Sequence, residues 1–197
     1  MIQQRVLRYA DYPVTQWKNG GGETRQIAVS PAGSDMDSFD WRLSIASVAQ
    51  DGPFSIFDQI DRTLHVLAGQ GIELALPKGR LERLDKGDTL HGFPADAPLN
   101  ARLVDGAITD LNIMSRRHQV HHVGYRTDVR GDAAMHLPWS TVALVCLSGT
   151  LEACVDGTIS KLGALDCLLL EDCQRHCVCL TGYASVFTVG FEVNIVD

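Results

Sequence analysis

Three stretches of the 197-residue chain carry residue types that could do chemistry. The first is Trp17-Lys18-Asn19-Gly20-Gly21-Gly22-Glu23-Thr24-Arg25. Glycines let the backbone take φ > 0 and approach a bound group closely, and the amides of such a loop can form an anion-accepting nest. Lys18 and Arg25 would add charged donors. No G-x-x-x-x-G-K-[ST] pattern is present and no long helix follows, which argues against a nucleotide phosphate loop. The plainer alternative is a glycine-rich hairpin between two strands. The second stretch, Trp41-Arg42-Leu43-Ser44-Ile45-Ala46, alternates, so Trp41, Leu43 and Ile45 share one face of a strand and Arg42, Ser44 and Ala46 the other. The third, Asp110-Leu111-Asn112-Ile113-Met114, alternates in the same way. If the apolar stripe beside it is core, Arg42 is either solvated or lines a polar cavity, where Asp110 or a ligand carboxylate would suit it.

Metal chemistry is less well supplied. His65, His91, His136 and His176 fall one to a strand region, and the adjacent His121-His122 pair would point to opposite faces of a strand. No set of three or four ligands has the spacing a metal needs. All six cysteines lie in the last third of the chain: Cys146, Cys154, Cys167, Cys173, Cys177 and Cys179. Zinc held by Cys173, His176, Cys177 and Cys179 is the sharper reading, but the C-x-x-C turn of zinc knuckles is missing. Free thiols packed as small apolar groups explain them better. The expectation is therefore no metal and no cofactor.

The elements that would position these groups are strands. Turn signals recur at Asn19-Gly20-Gly21-Gly22, Asp51-Gly52-Pro53, Lys86-Gly87-Asp88, Asp105-Gly106 and Asp156-Gly157, with short alternating segments between them. No window sustains a helical stripe over three turns, so the class is all-β. An internal repeat is visible. Val66-Leu67-Ala68-Gly69 opens a block ending at Gly87-Asp88, and Cys146-Leu147-Ser148-Gly149 opens a second one ending at Gly163-x-x-Asp166. This rhythm resembles cupin half-barrels, and two copies predict a bicupin, two double-stranded β-helix barrels. The predicted division is residues 1–115 and 116–197, with strands exchanged between the halves as an option.

Composition bounds the partners. The chain has 17 basic and 24 acidic residues, a net charge of −7, and 45% hydrophobic residues. Such a surface repels phosphate backbones and anionic lipid, so no nucleic-acid or membrane partner is expected. No signal peptide is visible near the start, and no apolar run has spanning length. The expectation is a cytoplasmic protein whose edge strands permit a homodimer.

Taken in order, Trp17-Lys18-Asn19-Gly20-Gly21-Gly22-x-Thr24-Arg25, Trp41-Arg42-x-Ser44-x-Ala46, Gly52-Pro53-Phe54-Ser55-x-Phe57, Arg62 and Asp110-x-Asn112-x-Met114 resemble the HutD/Ves family. The resemblance implies a bicupin without metal-binding histidines and an association with histidine utilisation. HutD proteins are regarded as regulators of that pathway, and no catalytic activity is established for the family. It also implies a small anionic or formylated ligand, such as formylglutamate, in the N-terminal barrel. Nothing functional carries over to the cysteine-rich second half.

The expected ligand site combines Lys18, Arg25, Arg42 and Arg62 as cations with Asn19, Ser44, Ser55 and Asn112 as hydrogen-bonding groups. Thr24 and Trp41 complete the motifs, and Asp110 neutralises one of the arginines. The leading reading is a non-enzymatic regulatory protein that binds a small anionic metabolite. The alternatives are a metal-independent cupin enzyme acting on a small carboxylate, with His65 or Asp110 as base, and a scaffold that binds no metabolite.

Overall fold

The computed structural model describes residues 2–194, and among these it contains sixteen β-strands, two short 3-10 turns and no α-helix. No helix of the described residues is long and apolar enough to cross a membrane. The chain forms two units: Pro13–Gln119 is one, and the segments ending at Tyr12 and starting at Val120 form the other. The second boundary falls four residues after the expected 115/116 division. The first twelve residues depart further from it, because β1 (Gln3–Leu7) pairs antiparallel with the strand Cys167–Glu171, Gln3 facing Glu171 and Leu7 facing Cys167. β1 is thus an exchanged strand.

The unit Pro13–Gln119 holds β2 (Val14–Gln16), β3 (Gly22–Ser30), β4 (Trp41–Val48), β5 (Gly52–Pro53), β6 (Ile60–Ala68), β7 (Ile72–Ala75), β8 (Leu81–Leu84), β9 (Thr89–Pro94), β10 (Asn100–Leu103) and β11 (Ile108–Arg116). One sheet runs β2-β3-β4-β11-β6-β9 and the other β5-β10-β7-β8. Val48, Leu64, Val66 and Ile108 of the first sheet meet Ile72, Leu74, Leu84 and Ala101 of the second in one buried cluster. Each valine, leucine or isoleucine among them contributes about 1.5–3 kcal/mol on burial. Alternation therefore decides which residues face the interior: on β6 it is Leu64 and Val66, and on β11 it is Ile108 and its even-numbered successors. No strand ladder joins the two sheets among the described residues, so the expected barrel is a cupin-like sandwich with open edges.

The glycine-rich stretch is the hairpin between β2 and β3. The Trp17 amide donates to the Gly22 carbonyl at 2.9 Å, and the Gly21 amide donates to Asn19 Oδ1 at 3.0 Å. Gly22 lies so close to β4 that a Cβ there would stand 2.1 Å from the Ser47 carbonyl oxygen. Close strand approach, not anion capture, accounts for glycine at that position.

The second unit adds β12 (Val120–His136), β13 (Thr141–Val155), β14 (Thr158–Leu162), β15 (Cys167–Glu171) and β16 (Cys177–Val193) in the order β1-β15-β13-β16-β12, with β14 on β13. The long strand β13 changes face part-way. Cys146 pairs with Val186 and Ser148 with Ser185, leaving Leu147 as a bulge. That extra residue inverts the alternation. Val142, Leu144 and Cys146 before it and Leu151, Ala153 and Val155 after it consequently feed the same core.

The expected repeat is present in backbone detail. In the first unit Thr109 pairs with Ala68 and Asp110 with Val66, so Leu67 is the bulge, eighty positions before Leu147. Gly69 and Gly149 follow with φ of 96° and 84°. The Val66 amide donates to the Asp88 carbonyl at 3.0 Å and the Cys146 amide to the Asp166 carbonyl at 2.9 Å. Asp88 also accepts from the Asp85 amide at 2.9 Å, as Asp166 does from the Gly163 amide at 3.0 Å. Asp88 and Asp166 build the same turn twice.

Candidate functional site

The interior face of the six-stranded sheet in Pro13–Gln119 carries three rows of side chains fixed by strand register. Paired residues on neighbouring strands share a face. The first row is Gln26, Ser44, Asn112 and Leu64 across β3, β4, β11 and β6, and the second is Thr24, Ala46, Asp110 and Val66. The third is Val29, Arg42, Met114 and Arg62, with Phe93 of β9 beyond. Polar groups thus gather where β4 and β11 meet, inside a surround of apolar core.

A relay links them. Arg62 Nε donates to Asn112 Oδ1 at 2.7 Å, a second guanidinium nitrogen makes a short contact with the same oxygen, and the guanidinium lies 4.4 Å from the Phe54 ring centroid. Asn112 Nδ2 in turn donates to Asp110 Oδ1 in another short hydrogen bond. The other oxygen of Asp110 is buried and has no hydrogen-bond partner. Asp110 is 1% exposed, and burial raises its pKa to about 7, opposed by the Arg62 charge and the Asn112 hydrogen bond. Burial also lowers the Arg62 pKa to about 10, with Asp110 working against that shift and Arg42 adding to it. Arg62 stays cationic at neutral pH.

Arg42 is held differently. Its Nε donates to Gln26 Oε1 at 3.0 Å, and burial moves its pKa downward. Both arginines therefore contact neutral amide oxygens through Nε, and the described partners of Arg42 leave its two terminal nitrogens available. That geometry suits bidentate recognition of a carboxylate.

Of the residues expected to form the site, Arg42, Arg62, Ser44, Asp110 and Asn112 come together on this face. Thr24 shares it, but its hydroxyl accepts from Trp17 Nε1 at 2.8 Å and so fixes the hairpin. Arg25 does not belong. It pairs with Ile45 and lies on the opposite face of the sheet, with Glu23 Oε1 at 3.2 Å. Adjacent residues of a strand cannot both point inward, which separates Arg25 from Thr24. Trp41 is buried on that same outer face, and Asn19 serves its own turn. Lys18 and Ser55 are exposed. Asp110 reaches Arg62 through Asn112 instead of pairing directly with an arginine. His65, the other candidate base, is buried on the outer face of β6, with Nδ1 2.8 Å from Thr89 Oγ1. Gln26 and Phe54 were not expected. Alternation from Thr24 points to Gln26, whereas the stacking of Phe54 on Arg62 has no local signal.

Among the described residues, no group of three or more histidine, cysteine or acidic side chains is placed to hold a metal ion. Cys173 is buried and contacts the backbone carbonyls of Trp139, Ser140 and Leu170, whereas Cys177 and Cys179 are exposed.

Comparison with known proteins adds a family. The HutD family model matches residues 9–187. The chain is 35% identical over 175 residues to an uncharacterised 21.2 kDa protein from the hutC 3' region of Pseudomonas putida, covering 87% of this chain and 88% of that one. It is 40% identical over 106 residues to Protein Ves of Cronobacter sakazakii, a match that covers 53% of this chain and 56% of Ves. Among solved structures, the conserved protein of unknown function PA5104 from Pseudomonas aeruginosa PAO1 superposes with a TM-score of 0.91 at 32% identity, covering 96% of this chain and 99% of that one. HutD from Pseudomonas fluorescens SBW25, in a formate condition, gives 0.84 at 28% identity, with 98% and 100% covered.

Proposed function

This chain belongs to the HutD family, and we propose that it is a regulatory protein that binds a small anionic or formylated metabolite without transforming it. Family membership supports a function related to histidine utilisation. The proposed ligand is a carboxylate of formylglutamate type, bound inside Pro13–Gln119 by Arg42, Arg62 and Asn112. One observation carries this reading. Two guanidiniums share the interior face of one sheet with a single carboxyl group, and that group's burial favours its neutral form. Two cations on one partly buried face repel unless an anion offsets them. An anionic ligand would do so, and Asn112 and Ser44 offer hydrogen bonds to a formyl or amide group beside it.

Calorimetric titration with formylglutamate, glutamate and formate tests the reading. Saturable binding of formylglutamate, weakened in Arg42→Ala and Arg62→Ala variants that keep the wild-type thermal transition, is the expected result. Equal and negligible heats for all three ligands would reject it.

A second reading has one observation in its favour. Asp110, with a pKa near 7 and an unpartnered oxygen, has the protonation balance a general base or acid needs at neutral pH. A metal-independent enzyme would convert its ligand, so proton NMR of formylglutamate held with the protein would show a product. An unchanged spectrum over days favours binding alone.

A further inference from the structure

The second unit carries a group of exposed thiols that the ligand site does not use. Cys154 on β13 and Cys179 on β16 are direct cross-strand partners, at the last pair of that ladder. Cys177 lies two residues away on the same exposed face of β16, opposite His136 of β12, with its sulfur 3.4 Å from His136 Nδ1. Cys177 and Cys179 are exposed and Cys154 is half-buried, whereas Cys146, Cys167 and Cys173 are buried. We propose that Cys154 and Cys179 are a thiol–disulfide exchange site, at which a low-molecular-weight disulfide is reduced and one cross-strand disulfide forms.

Distance selects the pair. Directly opposed residues of an antiparallel ladder have Cα atoms about 4.5–5.5 Å apart, inside the range of about 4.4–6.8 Å that a disulfide spans. Their Cβ atoms, about 4.5–5.5 Å apart in such a pair, need to close by about 1–2 Å to reach disulfide spacing, and the end of a ladder is where two strands can do so. Cys177 and Cys179 are excluded from pairing with each other. Residues i and i+2 of a strand are about 6.5–7 Å apart with parallel Cα–Cβ bonds, so their sulfurs cannot meet. Burial raises the pKa of Cys146, Cys167 and Cys173, which keeps those thiols protonated and inaccessible.

The chemistry balances with oxidised glutathione as the reactant. The Cys179 thiol gives up its proton, its sulfur attacks the S–S bond, and one glutathione leaves with a proton as the thiol. The resulting mixed disulfide is then attacked by the Cys154 sulfur, again after loss of its proton, and the second glutathione leaves as the thiol. Two protein thiols are oxidised by two electrons, and one disulfide is reduced to two thiols. Cys177 can take the first step but has no thiol in range for the second, so its glutathione adduct is terminal.

The full-length reduced protein is incubated with oxidised glutathione, quenched with acid, and analysed by intact and tryptic mass spectrometry. The expected product has lost two hydrogens through a Cys154–Cys179 link and carries no glutathione at either residue. The link joins the tryptic fragments spanning 131–161 and 176–197. Cys177→Ser keeps the link, whereas Cys154→Ser abolishes it and leaves glutathione on Cys179. Two results would overturn the proposal: a stable glutathione adduct on Cys179 of the wild type with Cys154 still a thiol, or a disulfide that joins Cys177 to another cysteine of the chain. Far-UV circular dichroism of Cys154→Ser and Cys179→Ser shows whether each variant retains its sheet, and either one alone suffices for the test.

Discussion

Arg42 and Arg62 stand in register on either side of Met114, each paired with it from its own strand, β4 and β6. Two strand spacings separate their backbones by about 10 Å. Both side chains leave the sheet on its interior face, where each charge disfavours the other. Charge-assisted hydrogen bonds to a carboxylate contribute about 1.5–3 kcal/mol each, and tenfold in affinity is about 1.4 kcal/mol. Arg42→Ala and Arg62→Ala should therefore each weaken formylglutamate binding by about tenfold to a hundredfold in calorimetric titration.

The same titration separates the inner from the outer face. Arg25 projects away from Arg42, and Lys18 is exposed in the hairpin turn. Arg25→Ala should leave the affinity within about twofold of wild type. Lys18→Ala should reduce it by no more than a few-fold, and that loss should vanish as added salt screens the exposed charge. A tenfold loss in Arg25→Ala would place the ligand on the wrong side of the sheet.

Asp110 makes the stability depend on pH in a definite direction. Its pKa is about 7 in the fold against about 3.9 in an unfolded chain. The fold binds this proton more tightly than the unfolded chain does. Its contribution to stability is therefore lost as pH rises from about 4 through 7, and is constant above that. Three pH units correspond to an upper limit of about 4 kcal/mol. Asp110→Asn, compared with wild type by urea unfolding, should gain little at pH 4 and up to about 4 kcal/mol at pH 8. An equal difference at both values would mean that Asp110 ionises as an ordinary carboxyl group.

Ligand affinity should follow the same proton. Neutral Asp110 adds no negative charge beside an anion and can donate from its unpartnered oxygen. Binding of formylglutamate should weaken as pH rises through 7, with proton uptake detectable as a dependence of the binding heat on buffer ionisation enthalpy. In Asp110→Asn both effects should disappear.

Gly22 gives a prediction independent of any ligand. A Cβ there would stand 2.1 Å from the Ser47 backbone oxygen, so the hairpin and β4 must separate to admit it. Gly22→Ala should destabilise the protein by about 2–3 kcal/mol, read as a lower urea midpoint with an unchanged slope.

Alternation made much of the site legible in the sequence. It put Arg42 and Ser44 on one face of β4 and Asp110 and Asn112 on one face of β11, and the structure joins those faces in register. The same rule separates Thr24 from Arg25, although both belong to one motif, because shared family pattern does not imply shared direction. Phe54 against Arg62 depends on tertiary packing and has no periodic signature. The second-copy turn was legible through Asp166 but not through Leu165, which takes φ of 65° where the first copy has Gly87. Leucine gives no local warning of that conformation. Hydrogen bonds to the Asp166 carboxylate from Tyr9 and Gly163 backbone amides and from Arg8 supply the constraint from elsewhere.

The pairing of β1 with β15 also sets an order of events during synthesis. Gln3 through Leu7 leave the ribosome long before their partners Cys167 through Glu171 are made. At about 5–20 residues per second, β1 waits on the order of 10–30 s with its backbone donors and acceptors unmatched. The intervening Pro13–Gln119 unit contains all of its own strand partners and can close during that interval. Maturation is therefore staggered: the sheet that carries Arg42 and Arg62 can assemble on the nascent chain, while the second unit is completed only when β1 docks onto the later-made β15.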